Sequence, residues 1–151
     1  MDSTQLTEFV KNLHPDITVA EGKQFTEVTV PPALLHQVAA KLRDDEKTRF
    51  DFLFCLSGVD YKQDLGVVYH LRSTVFGHTI VLKTRISDRN NPQVDTVSDL
   101  WKTAEFHERE VFDLFGIKFN NHPDLRRFFL EKSFGYPLRK DFIDDVNIVT
   151  K

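Results

Sequence analysis

Apolar residues recur at helical spacing near the start of the chain. Leu6, Phe9, Val10 and Leu13 occupy i, i+3, i+4 and i+7, which predicts a short helix ending before Pro15. The stretch from Gln24 to Val30 alternates polar and apolar positions and predicts a strand. Pro31 and Pro32 suit the opening of a second helix, whose apolar stripe is Leu34, Leu35, Val38, Ala39 and Leu42. Three strands are expected next. Phe50, Phe52, Phe54 and Leu56 alternate with Asp51, Leu53, Cys55 and Ser57; both sets are mostly apolar, which suggests a central strand. Val67, Tyr69, Leu71, Ser73 and Val75 alternate with Val68, His70, Arg72 and Thr74, and Gly77-His78 is placed to make a two-residue turn with glycine first. Ile80, Leu82, Thr84 and Ile86 then face inward while Lys83 and Arg85 face outward, and Asp88 to Asp95 reads as a polar loop.

Thr96-x-x-Asp99 is a capping-box variant that predicts the start of a long helix, with Gly116 just past its end and Ile117 as the apolar contact that follows. The order is α-β-α-β-β-β-α. It predicts one α+β domain with helices packed on a mainly antiparallel sheet. The expected division is a core of residues 1–116 and an irregular, basic C-terminal docking arm of residues 117–151.

On the long helix Trp101, Ala104, Glu108, Phe112 and Phe115 share one face, so a carboxylate sits in the middle of a core-facing stripe. An isolated buried charge is costly, and Glu108 is therefore expected to have a partner or to be neutral. Glu105, Arg109 and Asp113 form an i, i+4, i+8 ladder beside it. The helix is acidic, with Asp95, Asp99, Glu105, Glu108, Glu110 and Asp113 outnumbering Lys102 and Arg109. The arm is basic, with Lys118, Arg126, Arg127, Lys132, Arg139 and Lys140 against Asp124 and Glu131. Either the arm folds back on the helix, or both clasp a partner, or the two are separately solvated surfaces.

The 151 residues suffice for one domain with a real core, and fourteen Phe against one Trp and three Tyr point to an interior of plain aromatic packing. A net charge of −3 gives no general affinity for nucleic acid or anionic lipid. No secretory or transit-type segment is legible, and no apolar run approaches the roughly 20 residues that span a bilayer. Cys55 is the only cysteine, so the chain makes no internal disulfide and no all-cysteine cluster. Its apolar setting predicts a small packed side chain.

Residues 108–127, Glu-Arg-Glu-Val-Phe-Asp-Leu-Phe-Gly-Ile-Lys-Phe-Asn-Asn-His-Pro-Asp-Leu-Arg-Arg, resemble the signature of the C subunit of NADH:quinone oxidoreductase, respiratory complex I, also called the thirty-kilodalton subunit. Gly135-Tyr136-Pro137-Leu138-Arg139-Lys140-Asp141-Phe142 resembles the family's second block, at the family's spacing. The resemblance implies a structural subunit of the peripheral arm of a proton-translocating enzyme, without a catalytic site of its own. It implies docking on the D and B subunits near the quinone-reducing site, on the cytoplasmic side of a bacterial inner membrane and without membrane insertion. No cofactor is expected in this chain, while FMN, iron–sulfur clusters, NADH and quinone would be held by partner subunits.

The motif also makes physical sense as a docking device. Asn120-Asn121-His122-Pro123, followed by Asp124, is expected to turn the chain. Arg126, Arg127, Arg139 and Lys140 can meet Glu105, Glu108 and Glu110 or carboxylates on the D subunit, and arginine's planar fork suits desolvated pairs. Tyr136 is the expected anchor, flanked by Gly135 and Pro137. An equivalent subunit of a membrane-bound hydrogenase, or of a ferredoxin- or F420-dependent relative, is the alternative within the same redox class. A metal-dependent hydrolase built on His107, Glu108, Glu110, His122 and Asp124 is weakened by the missing second histidine: Val111 stands where His-Glu-x-x-His requires it. A nucleic-acid module would rest on the basic arm alone, against the acidic helix next to it.

Overall fold

The computed structural model of the chain describes residues 3–123 together with Leu125, Tyr136 and Arg139. Helix α1 (Ser3–Lys11) is followed by strands β1 (Thr18–Glu21) and β2 (Thr26–Thr29), a 3-10 turn (Pro32–Leu34) and helix α2 (Leu35–Asp44). Strands β3 (Phe52–Asp60), β4 (Leu65–Arg72), β5 (Thr79–Ile86) and β6 (Gln93–Asp95) precede helix α3 (Thr103–Phe115) and strand β7 (Lys118–Asn120). This is the expected α+β arrangement with three further strands. The five-stranded sheet has the order β1-β2-β5-β4-β3, antiparallel throughout except between β2 and β5. A separate parallel pair joins β6 to β7. None of the three extra strands exceeds four residues, too short for an alternating pattern to stand out from a loop.

One face of the large sheet carries the core. Val28, Ile80, Leu82, Leu65, Val67, Tyr69, Leu71, Leu53 and Leu56 are buried there, together with Leu35, Val38, Ala39 and Leu42 of α2. The prolines open the second helix as expected, through a 3-10 turn that passes directly into α2.

Strand β3 departs from its expected place. It lies at the edge of the sheet, not the centre, and Phe52 and Phe54 remain 44% and 40% exposed. A register shift between Leu53 and Cys55 breaks the simple alternation, so that Leu53 and Leu56 both face the core. Apolar side chains on both faces therefore marked a bulged edge strand instead of a buried one. Cys55 consequently lies half-buried on the sheet's outer face, cross-strand from His70, and is less enclosed than its apolar neighbours in sequence suggested.

The loop between β4 and β5 is also longer than the expected turn, running from Ser73 to His78. The Ser73 amide donates to the His78 carbonyl at 2.9 Å, and the Gly77 amide donates to the Ser73 carbonyl at 2.8 Å. Gly77 stands near the end of this loop, where its left-handed φ of +75° lets the chain return into β5.

The α3 helix begins at Thr103, not at Thr96, and no side chain caps its start. Residues 97–101 form turns instead, with the Trp101 amide donating to the Val97 carbonyl at 3.0 Å. Trp101 is still core, and its indole N–H donates to the Phe50 carbonyl at 2.9 Å. Gly116 ends the helix in the left-handed conformation, as its position predicts, and Ile117 is buried behind it. Strand β7 takes the first residues assigned to the arm into the core, since Phe119 is buried and pairs with Val94. Most of the remaining arm lies outside the described residues.

Helix α3 lies along β3. The Thr103 hydroxyl donates to the Leu53 carbonyl at 3.0 Å near one end, and the Phe115 ring covers Gly58 near the other. A Cβ on Gly58 would come within 2.5 Å of that ring. Gly58→Ala is therefore expected to destabilise the chain by about 1–3 kcal/mol through overpacking. Urea denaturation measures this, and an unchanged midpoint would show that α3 has room to move away from the strand.

Candidate functional site

The charged and aromatic positions singled out in the sequence converge on α3 and its two flanks. The inward stripe of the helix is Ala104, Glu108, Val111 and Phe115. Glu108 is fully buried, as its position on the stripe implied, and it is satisfied. The Thr96 hydroxyl shares a hydrogen bond with its Oε1, and the Val97 amide donates to its Oε2 at 3.1 Å. The Thr96 hydroxyl is the group that would have capped the expected helix, and the Val97 amide is one of the donors that such a helix start leaves without an intrahelical partner. The carboxyl group of a residue further along the helix takes them, which holds residues 96–98 as a turn and delays the helix start. Ser98 closes the shell: its hydroxyl lies 2.8 Å from the Thr96 hydroxyl, and its amide donates to that hydroxyl at 3.1 Å.

Burial pushes the Glu108 carboxyl from an ordinary 4.5 up to about 7. The hydrogen bonds from Thr96 and Val97 oppose this rise, while nearby Asp99 and Glu105 add to it. Tyr69 of β4 is buried, and its hydroxyl makes no hydrogen bond among the described residues. Burial first, and then the Glu108 charge, raise that hydroxyl's pKa well above its usual value. His122 arrives from the turn after β7, where Asn121 has φ +66° and the chain reverses as the Asn-Asn-His-Pro run predicts. The His122 Nε2 donates to the Glu105 carbonyl at 2.9 Å and lies 4.0 Å from Glu108 Oε1. Pro123 is exposed beside it.

The helix is covered on a second side as well. Asp113 lies roughly half-way round α3 from the core stripe, at about 100° per residue, and is nevertheless fully buried. Arg109 and Glu105 are half-buried, while Glu110 is exposed. Of the expected basic contacts, Arg139 is the one described. Its Nε donates to the Phe115 carbonyl at 2.6 Å, and its Nη1 donates to the Arg89 carbonyl at 3.2 Å. A cation at the last carbonyls of a helix offsets the negative end of its dipole. Arg139 also lies over the Tyr136 ring, 5.0 Å from its centroid, and that ring meets Phe112 at 6.5 Å.

Gly116 is where this clasp seats. A Cβ there would lie 2.6 Å from the Tyr136 ring and 2.9 Å from the Arg139 guanidinium. The arm thus folds back on the helix at these two residues. Asp124, Arg126, Arg127, Gly135, Pro137 and Lys140 lie outside the described residues.

Two features were not legible in sequence. Arg89 forms a bidentate bridge to buried Asp60, at 2.7 and 3.1 Å, which ties the end of β3 to the segment that receives Arg139. Only the pairing of charge types far apart in the chain could have suggested it. An aromatic row also crosses the outer sheet face, with Phe52 on Phe54 at 6.2 Å, Phe54 on His70 at 5.6 Å and His70 on Phe25 at 6.5 Å. Among the described residues no group of His, Cys, Asp and Glu side chains is arranged to hold a metal ion. No described helix is long and apolar enough to cross a membrane.

Replacing Gly116 by Ala combines a left-handed backbone with a displaced Tyr136 ring. A loss of about 1–3 kcal/mol in thermal or urea unfolding is the expected outcome. Thr96→Val removes the hydroxyl from a buried carboxyl and is expected to cost a similar 1–3 kcal/mol, roughly the penalty of an unmet buried polar group. Wild-type stability for Thr96→Val would show that the hydroxyl does not support Glu108.

Comparison with known proteins accords with this geometry. The family model described as the 30 kDa subunit of respiratory-chain NADH dehydrogenase matches residues 28–146. The C/D subunit of NADH-quinone oxidoreductase of Bacteroides thetaiotaomicron is 47% identical over 124 residues, covering 74% of this chain and 23% of that protein. This chain therefore spans only 23% of the length of such C/D relatives. The C subunit of NADH-quinone oxidoreductase of Moorella thermoacetica is 41% identical over 136 residues, covering 88% of this chain and 90% of that one. In solved structures, a chain of the membrane-bound sulfane sulfur reductase, an archaeal respiratory membrane complex, superposes with a TM-score of 0.80 over 95% of this chain and 86% of its own. At 23% identity that likeness is one of fold. The family model, which spans most of the chain and includes the α3 helix, the turn at His122 and the Tyr136–Arg139 clasp, establishes that the chain belongs to the family of the 30 kDa subunit of respiratory-chain NADH dehydrogenase.

Proposed function

We propose that this chain is a structural subunit of the peripheral arm of a proton-translocating NADH:quinone oxidoreductase, docked on the D subunit and close to the B subunit. It binds no cofactor itself in this reading. FMN, iron–sulfur clusters, NADH and quinone belong to partner chains, and the complex lies on the cytoplasmic side of a bacterial inner membrane. The observation that carries the proposal is the family match over residues 28–146.

The C/D relatives support the choice of the D subunit as the neighbour. Their matched part occupies 23% of a chain named for both subunits. A covalent link raises the effective concentration of one part at the other, which is productive when the linked surfaces can meet. Identities of 41% and 47% to NADH-quinone oxidoreductase subunits favour this complex over hydrogenase-type relatives.

The docking residues in this reading are the exposed Glu110 of α3 and, from the sequence of the arm, Arg126, Arg127 and Lys140. The internal clasp of Tyr136 and Arg139 presents them by holding the arm at the end of the helix. Fixing part of the arm before assembly lowers the ordering cost of docking. The contribution to turnover is then indirect, through the geometry of the neighbouring quinone site.

Affinity purification of the tagged chain from its native membranes is expected to recover the D and B subunits together with NADH-oxidising activity. Arg126→Ala combined with Arg127→Ala is expected to lower recovery of the D subunit by about tenfold, the effect of roughly 1.4 kcal/mol. A chain recovered alone in mild detergent and low salt would overturn the proposal. Recovery with hydrogenase subunits would move it to the sister complex.

A further inference from the structure

Residues 96–98 stand at a junction. The Thr96 amide donates to the Asn120 carbonyl at 2.9 Å, which extends the β6–β7 pair by one step. The Thr96 hydroxyl and the Val97 amide meet Glu108 on α3. The segment leading into the C-terminal arm is therefore joined to α3 through one buried carboxyl group and through the His122 ring on Glu105.

The hydrogen bonds around that carboxyl can run in two directions. A hydroxyl has one proton to give and can accept more than one. With Glu108 protonated, its O–H donates to Thr96, and Thr96 donates to the Ser98 hydroxyl. With Glu108 ionised, Thr96 donates to the carboxylate, and the Ser98 hydroxyl donates back to Thr96. Hydrogen-bond count does not separate the two states, so the electrostatic surroundings decide between them.

Those surroundings disfavour the ionised state. Glu108 is fully buried, and its nearest titratable neighbours differ by element. From α3 comes Glu105, and from the preceding turn Asp99, whose carboxylate lies 2.8 Å from His36 Nε2 of α2. From β4 comes the neutral phenol of Tyr69, and from the turn after β7 comes His122, whose Nε2 proton is directed to the Glu105 carbonyl. At 4.0 Å that ring is beyond hydrogen-bonding distance of Glu108.

We propose that Glu108 is a proton-operated latch, which when protonated closes the Thr96–Ser98 turn and the β6–β7 pair onto α3 and when ionised lets them part. This inference concerns the chain's own conformational equilibrium and does not require the docking reading. If that reading also holds, the latch sets how firmly the start of the arm is held for the D subunit.

The sign follows from the raised carboxyl in the closed state, at about 7 against an ordinary 4.5 once opened to water. The closed form binds the proton more tightly, so its advantage is complete below about 4.5 and declines as pH rises towards 7. Between those values the opening equilibrium rises with a slope that approaches tenfold per pH unit at mid-interval, and above 7 it levels off.

Amide hydrogen exchange on the full chain, corrected for the intrinsic pH dependence of exchange, tests the latch. Peptides spanning 94–98 and 117–122 are expected to lose about 40-fold in protection between pH 5 and pH 7, less than two full steps of tenfold because each pH lies close to one of the two pKa values, and about twofold more by pH 8. Glu108→Gln keeps the neutral form and is expected to abolish that slope, whereas His122→Gln is expected to retain it. Protection that does not change between pH 5 and 7 overturns the proposal, as does a slope that survives Glu108→Gln or disappears with His122→Gln. Should Glu108→Gln fail to fold, a carbon-13 titration of the Glu108 carboxyl in the unaltered chain decides instead. A midpoint near 7 supports the latch, and one near 4.5 overturns it.

Discussion

The carboxyl of Glu108 joins parts of the chain that no run of secondary structure connects. Through its hydrogen bonds with Thr96 and Val97 it holds the turn before α3 against the middle of the helix, and Thr96 in turn extends the short β6–β7 pair. A buried carboxyl left without partners would cost several kcal/mol, whereas one that is hydrogen-bonded specifies a single arrangement around it. The position of α3 is set by that shell, by the Thr103 hydroxyl on Leu53 and by the Phe115 ring on Gly58. Its C-terminal end, where the arm returns, inherits its place from these contacts.

The edge strand is the second constraint. An exposed edge invites pairing with other chains, and β3 limits this with a bulge and with α3 lying along it. Its outward side chains Phe52 and Phe54 stack with one another and lead to His70. At the far end of the strand, Asp60 holds Arg89, whose backbone carbonyl accepts from Arg139. The arm is thus anchored on the sheet as well as on the helix.

For a subunit proposed to act by position, these anchors are the relevant chemistry. The Tyr136–Arg139 clasp needs a helix ending in a left-handed glycine, because a side chain at 116 would occupy the space of the ring. Arg139 serves at once as a cap for the last helical carbonyls and as a tie to the β5–β6 connection. A docking surface presented in this way depends on the fold of the whole domain and not on the local sequence of the arm.

The sequence by itself determined the α+β class, the three helices, the inward face of β5, the burial of Glu108 and the stop at Gly116. Each of these follows from periodicity or from a backbone preference carried by neighbouring residues. The family was equally legible, since the motif from Glu108 to Arg127 and the block from Gly135 to Phe142 are contiguous stretches of sequence. Only the tertiary structure decided that Thr96 serves Glu108 instead of capping a helix, because the competing acceptor lies twelve residues away in sequence. Likewise, the apolar pattern of β3 is compatible with either a buried or an edge strand, and the order of strands in the sheet makes the choice. The bridge from Asp60 to Arg89 and the seat of Arg139 also arise from long-range packing, which brings together charges and carbonyls that no local pattern relates.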